Sequence, residues 1–287
     1  PFSGSSGDFD GALDWVAKVC EANAFNANPG QAQQASATKH PLPDGFVNAL
    51  VTDPPYYDAV PYAYLSDFFY VWLKRSLGSV HPDLFGEAAV PKDAEIVVDR
   101  PHELSHSTKD IVLYERELTK AFAEGRRILH PGGVGVIVFA SKTTASWEAI
   151  LQAVVDAGWT ITGSWPIDTE MAARVAAQGQ ARLASSIHLV VRPRRRPHRS
   201  SDFGLPTSDS PIGDWRDVLQ ELPARIHAWM PRLAEEGVVG ADAIFACLGP
   251  ALEIFSRYDR VERASGEQLT LSDYLEYVWA AVANEAL

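Results

Sequence analysis

The sequence has little cysteine, no long apolar run and no recognisable leader. Its 287 residues include two cysteines, Cys20 and Cys247, too few for a disulfide framework or a four-cysteine zinc site. No run of about 18 apolar residues occurs, so no membrane-spanning helix is expected. Residues 1–16 lack the basic start and apolar core of a signal peptide. These absences predict a cytoplasmic protein with no structural metal site and no membrane contact.

Basic residues are also in deficit. Lys and Arg number 25 against 37 Asp and Glu, which gives a net charge of −12. This charge is unfavourable for nucleic-acid binding, since that binding rests mainly on Lys and Arg contacts to phosphate. One segment has the opposite sign, because residues 192–199 hold five Arg and one His. It reads either as a phosphate-contacting arm or as a solvated linker.

The residues that are abundant indicate a folded α/β protein. The chain is 46% hydrophobic and contains 12 Phe, 9 Tyr and 8 Trp, which argues against global disorder. Short apolar runs alternate with segments of helical periodicity, which predicts a mostly parallel sheet covered on both faces. Helices are predicted over residues 11–25, 111–129, 147–157 and much of 214–287. Strands are predicted over 46–52, 134–140, 160–166 and 185–191, with a weak one near 31–36.

The sharpest motif is Asp53-Pro54-Pro55-Tyr56, directly after the predicted strand 46–52. Ligands of open α/β sheets bind beyond the carboxyl ends of strands, so this tetrapeptide lies where a site is expected. Two prolines fix the backbone and remove two N–H donors, so that carbonyl acceptors predominate. A carboxylate beside such acceptors suits an exocyclic amino group, and a tyrosine can stack on a flat ring. The alternative to a functional role is that Asp53 is an ordinary turn residue at the end of a strand.

The motif and its surroundings resemble a known enzyme family. Asp-Pro-Pro-Tyr after a strand is similar to the catalytic motif of amino methyltransferases that use S-adenosylmethionine. The ordered segments TDPPYYDAVPYAYLSDFFYVWLKRSL, VPKDAEIV, VIVFASKTTASWEAIL, SWPIDTE, ARLASSIHLVVR and GPALEIFSRY resemble the large bacterial adenine-specific DNA methylases. Longer members of that family carry a zinc ribbon, which this chain lacks. The resemblance covers most of residues 1–260 and implies a Rossmann-like methyltransferase sheet with DNA as substrate.

The resemblance implies roles for the four motif residues. Asp53 and the carbonyl of Pro54 would accept hydrogen bonds from the target amino group and turn its lone pair toward the methyl sulfonium. Pro55 would fix the backbone, and Tyr56 would stack on a base extruded from the duplex. The target would be adenine N6. Cytosine N4 stays open, and methylation of RNA or of a protein amide is a weaker option.

Other substrate-side candidates lie in the neighbouring segments. Eight aromatic residues occur between 56 and 72. Tyr57 and Tyr62 are candidates for base stacking, whereas a helix from about residue 64 is expected to bury its aromatic members in the core (Phe68, Phe69 and Trp72). Asp67 is expected to be a helix cap or an ion-pair partner. Lys142, after strand 134–140, would contact substrate or phosphate, or else belong to an ordinary helix start.

The cofactor side of the predicted site is incomplete. Amino methyltransferases bind the methionine part of the cofactor at a glycine-rich turn after the first strand. Residues 1–7 (PFSGSSG) resemble such a turn, but no strand precedes them. The strand count indicates that the first two strands of a seven-stranded sheet are missing. Ser36 and Asp53 are then the expected cofactor neighbours, and a missing N-terminal part or a second chain would complete the site.

The chain divides by composition into three parts. Residues 1–198 are expected to form a partial methyltransferase catalytic domain. Residues 199–213 form a linker or exposed loop, and residues 214–287 form a helical C-terminal region. The competing hypothesis from another functional class is a truncated, non-catalytic methyltransferase module that binds DNA or a partner.

Overall fold

The computed structural model describes residues 8–24, 30–56, 61–98, 109–141, 144–168, 185–194, 211–238 and 241–286. The chain forms two compact units, Pro1–Ala35 and Ser36–Leu287. In the first unit, helix α1 spans Phe9–Asn23 and begins at Asp8, whose carboxylate accepts from the Gly11 amide at 2.8 Å. This helix agrees with the apolar periodicity of its sequence. The weak strand expected near residues 31–36 is wrong, since Ser36 forms only an isolated bridge with Lys39.

The second unit contains a four-stranded mixed sheet in the order β1-β2-β4-β3. Strand β1 is parallel to β2, and β4 is antiparallel to both of its neighbours. Strands β1, β2 and β3 therefore run in one direction, as expected of a mostly parallel sheet, and β4 runs against them. The reversed strand was not predicted, because an apolar run predicts a buried strand without fixing its direction. The strands are β1 (Val47–Thr52), β2 (Leu129–Phe139), β3 (Trp159–Asp168) and β4 (Ser185–Pro193).

Two helices pack against the sheet beside the predicted site. Helix α3 (Ile111–Ile128) begins at Asp110, whose side chain accepts from the Leu113 amide. Its buried stripe follows the four-residue spacing of a helix face and consists of Tyr114, Leu118 and Phe122. Helix α4 (Thr144–Asp156) buries eight residues and contacts α3. One sheet face and these two helices thus share a single hydrophobic core.

Helix α2 (Tyr62–Leu77) does not join that core. Phe68, Phe69 and Trp72 are 68%, 62% and 59% exposed, and Ala63 is the one residue of α2 that is buried. The prediction that these three aromatic side chains lie in the core was therefore wrong. Apolar residues occur all round this helix, so composition alone could not select a buried face.

The C-terminal region is mainly helical, as its sequence predicted. Its helices are α5 (Trp215–Glu235), α6 (Ala241–Ser256) and α7 (Leu271–Ala286), with a small sheet of β5 (Ile212–Asp214), β6 (Arg260–Glu262) and β7 (Gln268–Leu269). Helix α6 runs along the outer edge of β3, where the Ser256 hydroxyl accepts from the Ile161 amide at 3.0 Å. The domain boundaries at 198 and 214 remain predictions, because residues 195–210 lie outside the described part.

Within the described residues, no helix combines the length and the apolar character needed to cross a bilayer.

Candidate functional site

The Asp53–Tyr56 loop begins where β1 ends. Strands β1 and β2 are parallel, with Thr52 paired to Ile137. Because parallel strands end at the same edge of a sheet, this loop and Ser141 beyond β2 lie at that common edge. Lys142, predicted to contact substrate or phosphate, follows Ser141 but lies outside the described residues.

Two buried aromatic side chains, Tyr114 and Phe139, contact the Asp53–Tyr56 loop from the hydrophobic core. The Tyr114 hydroxyl on α3 donates to the Pro55 carbonyl at 2.7 Å, and Tyr114 is fully buried. The Tyr56 ring meets the edge of Phe139 on β2, with 5.2 Å between centroids and an interplanar angle of 74°. Such edge-to-face pairs add specific geometry to apolar burial. The last two residues of the motif are thereby fixed to α3 and β2.

Asp53 differs from its neighbours in exposure. Its side chain is exposed, whereas Pro54 is buried and Pro55 and Tyr56 are half-buried. The carboxylate thus stands above a fixed backbone at the end of a strand. It can accept hydrogen bonds from a molecule that approaches the sheet edge.

A cavity of about 350 Å³ lies beside this loop. Asp53, Pro54 and Pro55 form part of its wall, together with the last residues of β1. The apolar lining from α3 includes Leu118 and Phe122. The cavity therefore combines a carboxylate with apolar surface suited to a flat ring.

A second carboxylate, Glu124, lies in the cavity wall with His40. Glu124 accepts from the His40 amide at 2.7 Å and from two nitrogens of Arg127. The hydrogen bonds from Arg127 hold the pKa of the Glu124 carboxyl at about 2, against an ordinary 4.5. Arg127 also donates to the carbonyls of His40 and Leu42, so this network fixes the segment that leads into β1.

The loop after β2 has its own anchor. The indole Nε1 of Trp147 donates to the Ser141 carbonyl at 3.0 Å. Trp147 is buried and packs edge-on against Phe139, with ring centroids 4.9 Å apart. Phe139 therefore contacts both Tyr56 and Trp147, and it links the supports of the two loops.

The remaining predicted residues are dispersed. Tyr57 lies outside the described residues, and Tyr62 is exposed at the start of α2. Ser36 is exposed, and its hydroxyl lies 2.9 Å from that of Thr38. Asp67 pairs with Lys92 at 2.8 Å, which confirms the ion-pair prediction. The hydrogen bond from Lys92 lowers the pKa of the Asp67 carboxyl.

Only the start of the basic segment is described. The Arg194 side chain is bound within the fold. It pairs with Asp259 at 2.6 Å. It also donates to three backbone carbonyls, those of Ser256, Val155 and Trp159. Arg192 is exposed and donates to the carbonyl of Gly133 at 3.0 Å. Arg194 is therefore a structural residue and not a candidate phosphate contact.

No metal centre is found among the residues that can be described. In that part of the chain, no three His, Cys, Asp or Glu side chains come together in a way that could hold an ion.

Sequence reasoning found the Asp53–Tyr56 motif but missed its supports. Tyr114 carried a weak signal, since it places a hydroxyl within the apolar stripe of α3. Glu124 and His40 gave no usable signal, because they are 84 residues apart in the chain. Their proximity depends on the packing of α3 beside β1.

Comparisons with known proteins yield few matches. No protein-family model matches the sequence, and no curated protein matches it. The chain aligns with crystal structures of TTHA0409 from Thermus thermophilus, which is named as a candidate DNA modification methylase. One alignment has 15% identity, covers 88% of this chain and 93% of that chain, and gives a TM-score of 0.29. The form complexed with S-adenosyl-L-methionine has 15% identity, covers 86% and 90%, and gives 0.28. Scores this low support no argument about the function of this chain.

Proposed function

We propose that the chain is an S-adenosylmethionine-dependent DNA methyltransferase that acts on the N6 amino group of adenine. The position of Asp53 carries the proposal. It is an exposed carboxylate at the end of a parallel strand, on the wall of a largely apolar cavity, followed by two prolines and a tyrosine. The resemblance of the surrounding sequence to adenine-specific DNA methylases supports the choice of base. Cytosine N4 is the nearest alternative target.

Asp53 would activate the target amine. The exocyclic nitrogen offers two N–H donors, of which the Asp53 carboxylate would accept one and the Pro54 carbonyl the other. These bonds draw the nitrogen lone pair out of conjugation with the ring. As the new N–C bond forms and the methyl–sulfur bond of the donor breaks, the nitrogen would gain positive charge, which the Asp53 carboxylate would stabilise. One N–H proton would then be lost to solvent. A contact of this kind lowers the barrier by roughly 3–4 kcal/mol.

Tyr56 would hold the base. The target nitrogen is inaccessible within a duplex, so the base must be extruded from the stack. Stacking on an aromatic side chain contributes about 1–3 kcal/mol per base. The half-buried Tyr56, anchored on Phe139, would present a fixed ring for this contact.

The cavity residues fit part of the cofactor. When bound, S-adenosylmethionine would supply an electrophilic methyl group on a sulfonium ion. Leu50, Val51 and Ile96 offer apolar surface for its adenine ring, and Asp53 brings negative charge to the same wall. The glycine-rich segment 1–7 lies outside the described residues. We therefore propose that an N-terminal part or a second chain completes the cofactor site.

The cytoplasmic location and the DNA substrate belong to the same proposal. The competing proposal, a non-catalytic module that binds DNA or a partner, rests on the lack of a clear glycine-rich turn in the sequence. The net charge of −12 is unfavourable for DNA binding under either proposal, so DNA affinity would reside in the part that completes the site.

Calorimetric titration with S-adenosylmethionine, with sinefungin as a competitor, tests the cofactor. Methyl transfer from radiolabelled cofactor to DNA tests the reaction, and analysis of the digested nucleosides separates N6-methyladenine from N4-methylcytosine. Asp53→Ala is expected to lower the rate about 100-fold or more. The exposed Asp83→Ala is the matched control. A cooperatively melting chain that binds no cofactor would mean a folded partial methyltransferase whose cofactor site needs its missing part from elsewhere. Absence of methyl transfer after that part is supplied would favour the non-catalytic module.

A further inference from the structure

The backbone of the Asp53–Tyr56 loop offers few groups by which the fold can hold it. Pro54 and Pro55 have no amide hydrogen, so neither can donate to a neighbouring carbonyl. Their carbonyls are therefore the hydrogen-bonding groups by which this part of the loop can be fixed. The Tyr114 hydroxyl donates to the second of them, at Pro55, over 2.7 Å.

We propose that Tyr114 is a positioning residue for the methyl transfer, acting through the Pro55 carbonyl to hold Asp53 in place. The inference rests on the function proposed above, and it concerns a residue that never touches the substrate. Tyr114 lies on the buried stripe of α3 and is fully buried. Its ring is held by the core, so its hydroxyl provides a fixed point for the loop.

The choice of carbonyl matters for the chemistry. Tyr114 binds the carbonyl of Pro55, while the proposed reaction uses the carbonyl of Pro54 for the substrate amine. The two functions therefore fall on adjacent residues and do not compete. On the far side, the Tyr56 ring is fixed against Phe139. The loop is thus fixed at Pro55 and Tyr56, directly after the Asp53 carboxylate and the Pro54 carbonyl that would accept hydrogen bonds from the substrate amine.

The effect of losing this bond follows from geometry. Catalytic groups work only when held close to their productive position, and a displacement of about 1 Å can cost on the order of 100-fold in rate. Without the hydroxyl, the Pro55 carbonyl loses its donor while the Tyr114 ring could still pack as phenylalanine. The loop would then move relative to the cavity, and binding surfaces elsewhere would be unchanged.

The chain offers a matched control. Tyr274 is also fully buried, and its hydroxyl donates to the Ala251 carbonyl at 2.7 Å. This second bond joins α7 to α6 and includes no residue of the proposed site. Tyr114→Phe and Tyr274→Phe therefore delete the same atom from equivalent bonds, one beneath the site and one in the C-terminal region.

The experiment compares both variants of the full chain with the unmodified protein. We expect similar small decreases in melting temperature for the two variants. Tyr114→Phe should lower kcat on the order of 10- to 100-fold, with KM for DNA and cofactor almost unchanged, whereas Tyr274→Phe should retain kcat. Equal kcat values in the two variants would overturn the proposal.

Hydrogen exchange provides the measurement that does not depend on activity. Exchange at the amides of Thr52, Asp53 and Tyr56 should accelerate in Tyr114→Phe and not in Tyr274→Phe. If the unmodified chain transfers no methyl group, the proposed reaction fails, and the exchange result still decides whether Tyr114 holds the loop. Unchanged exchange in Tyr114→Phe would overturn the positioning role whether or not the chain is active.

Discussion

Arg127 binds both carboxylate oxygens of Glu124: its Nε donates to Oε2 at 2.9 Å, and its Nη2 donates to Oε1 at 2.7 Å. Bidentate pairs of this kind fix orientation as well as contributing energy. Because Arg127 also donates to the carbonyls of His40 and Leu42, the pair connects α3 to the segment before β1. One wall of the cavity beside Asp53 therefore depends on this ion pair.

The first prediction concerns the pH dependence of this pair. The folded-state pKa of Glu124 is about 2, below its ordinary 4.5. Its stabilising contribution is thus present above about pH 4.5 and is lost as the pH falls toward 2. Glu124→Gln should lower the free energy of unfolding at pH 7 by about 1–2 kcal/mol. It should also flatten the loss of stability below pH 4.5, as measured by urea unfolding.

The control for this substitution lies on the same helix. Glu117 pairs with Lys120 and Arg116, both largely exposed. Exposed pairs contribute little, so Glu117→Gln should change the free energy of unfolding by about 0.5 kcal/mol or less. Equal losses in the two variants at pH 7 would contradict the special role of Glu124.

The second prediction concerns the contact between α6 and β3. A Cβ atom on Gly249 would lie 2.3 Å from the Gly163 carbonyl carbon and the Ser164 amide nitrogen. Backbone atoms cannot move aside as a side chain can, so Gly249→Ala should lower the free energy of unfolding by about 3 kcal/mol. Gly86→Ala is the control, because its nearest neighbour would be 3.6 Å away. Denaturant titration of both variants measures the difference.

A third prediction separates two arginines at the start of the basic segment. Arg194→Ala would remove the ion pair with Asp259 and the guanidinium donors to the carbonyls of Ser256, Val155 and Trp159, so stability should fall by about 3 kcal/mol. Arg192 is exposed, and Arg192→Ala should cost about 1 kcal/mol or less. If this segment contacts DNA, Arg192→Ala should reduce the salt dependence of binding, measured by anisotropy between low and moderate salt. A larger loss of stability in Arg192→Ala would contradict this assignment.

The fourth prediction concerns thiol reactivity. Cys20 is exposed, whereas Cys247 is buried, and burial raises the pKa of the Cys247 thiol to about 11. Because the thiolate is the reactive species, Ellman's reagent at pH 8 should label one thiol per native chain. Labelling in urea should reach two. The variant Cys20→Ser should show no fast reaction, and rapid labelling of it would contradict the burial of Cys247.

Local features of the fold could be predicted from the sequence where the spacing of apolar residues agreed with the residues that start or end a helix or strand. The strand before Asp53 ends at two prolines, and α3 begins at the capping residue Asp110 and ends before His130-Pro131-Gly132-Gly133. These signals act within a few residues, so they do not depend on the remainder of the chain. The bounds of β1 and α3 agree with the structure to within one residue. Strand β2 was predicted from residue 134 but begins at Leu129, so His130–Gly133 belong to the strand.

Predictions that needed packing partners fared worse. The reversed direction of β4 was not predicted, and Phe68, Phe69 and Trp72 on α2 are exposed instead of buried. An apolar side chain has the same preference for burial whether or not another element covers it. Only the packing of neighbouring elements decides whether it is buried.

By itself, the sequence determined the motif Asp53-Pro54-Pro55-Tyr56 and its location directly after a strand, because proline geometry and apolar runs are local properties. Only the tertiary structure decided what supports that motif. Tyr114 binds Pro55 across 59 residues of chain, and His40 binds Glu124 across 84. Such contacts depend on the packing of α3 between distant segments, which no local pattern encodes.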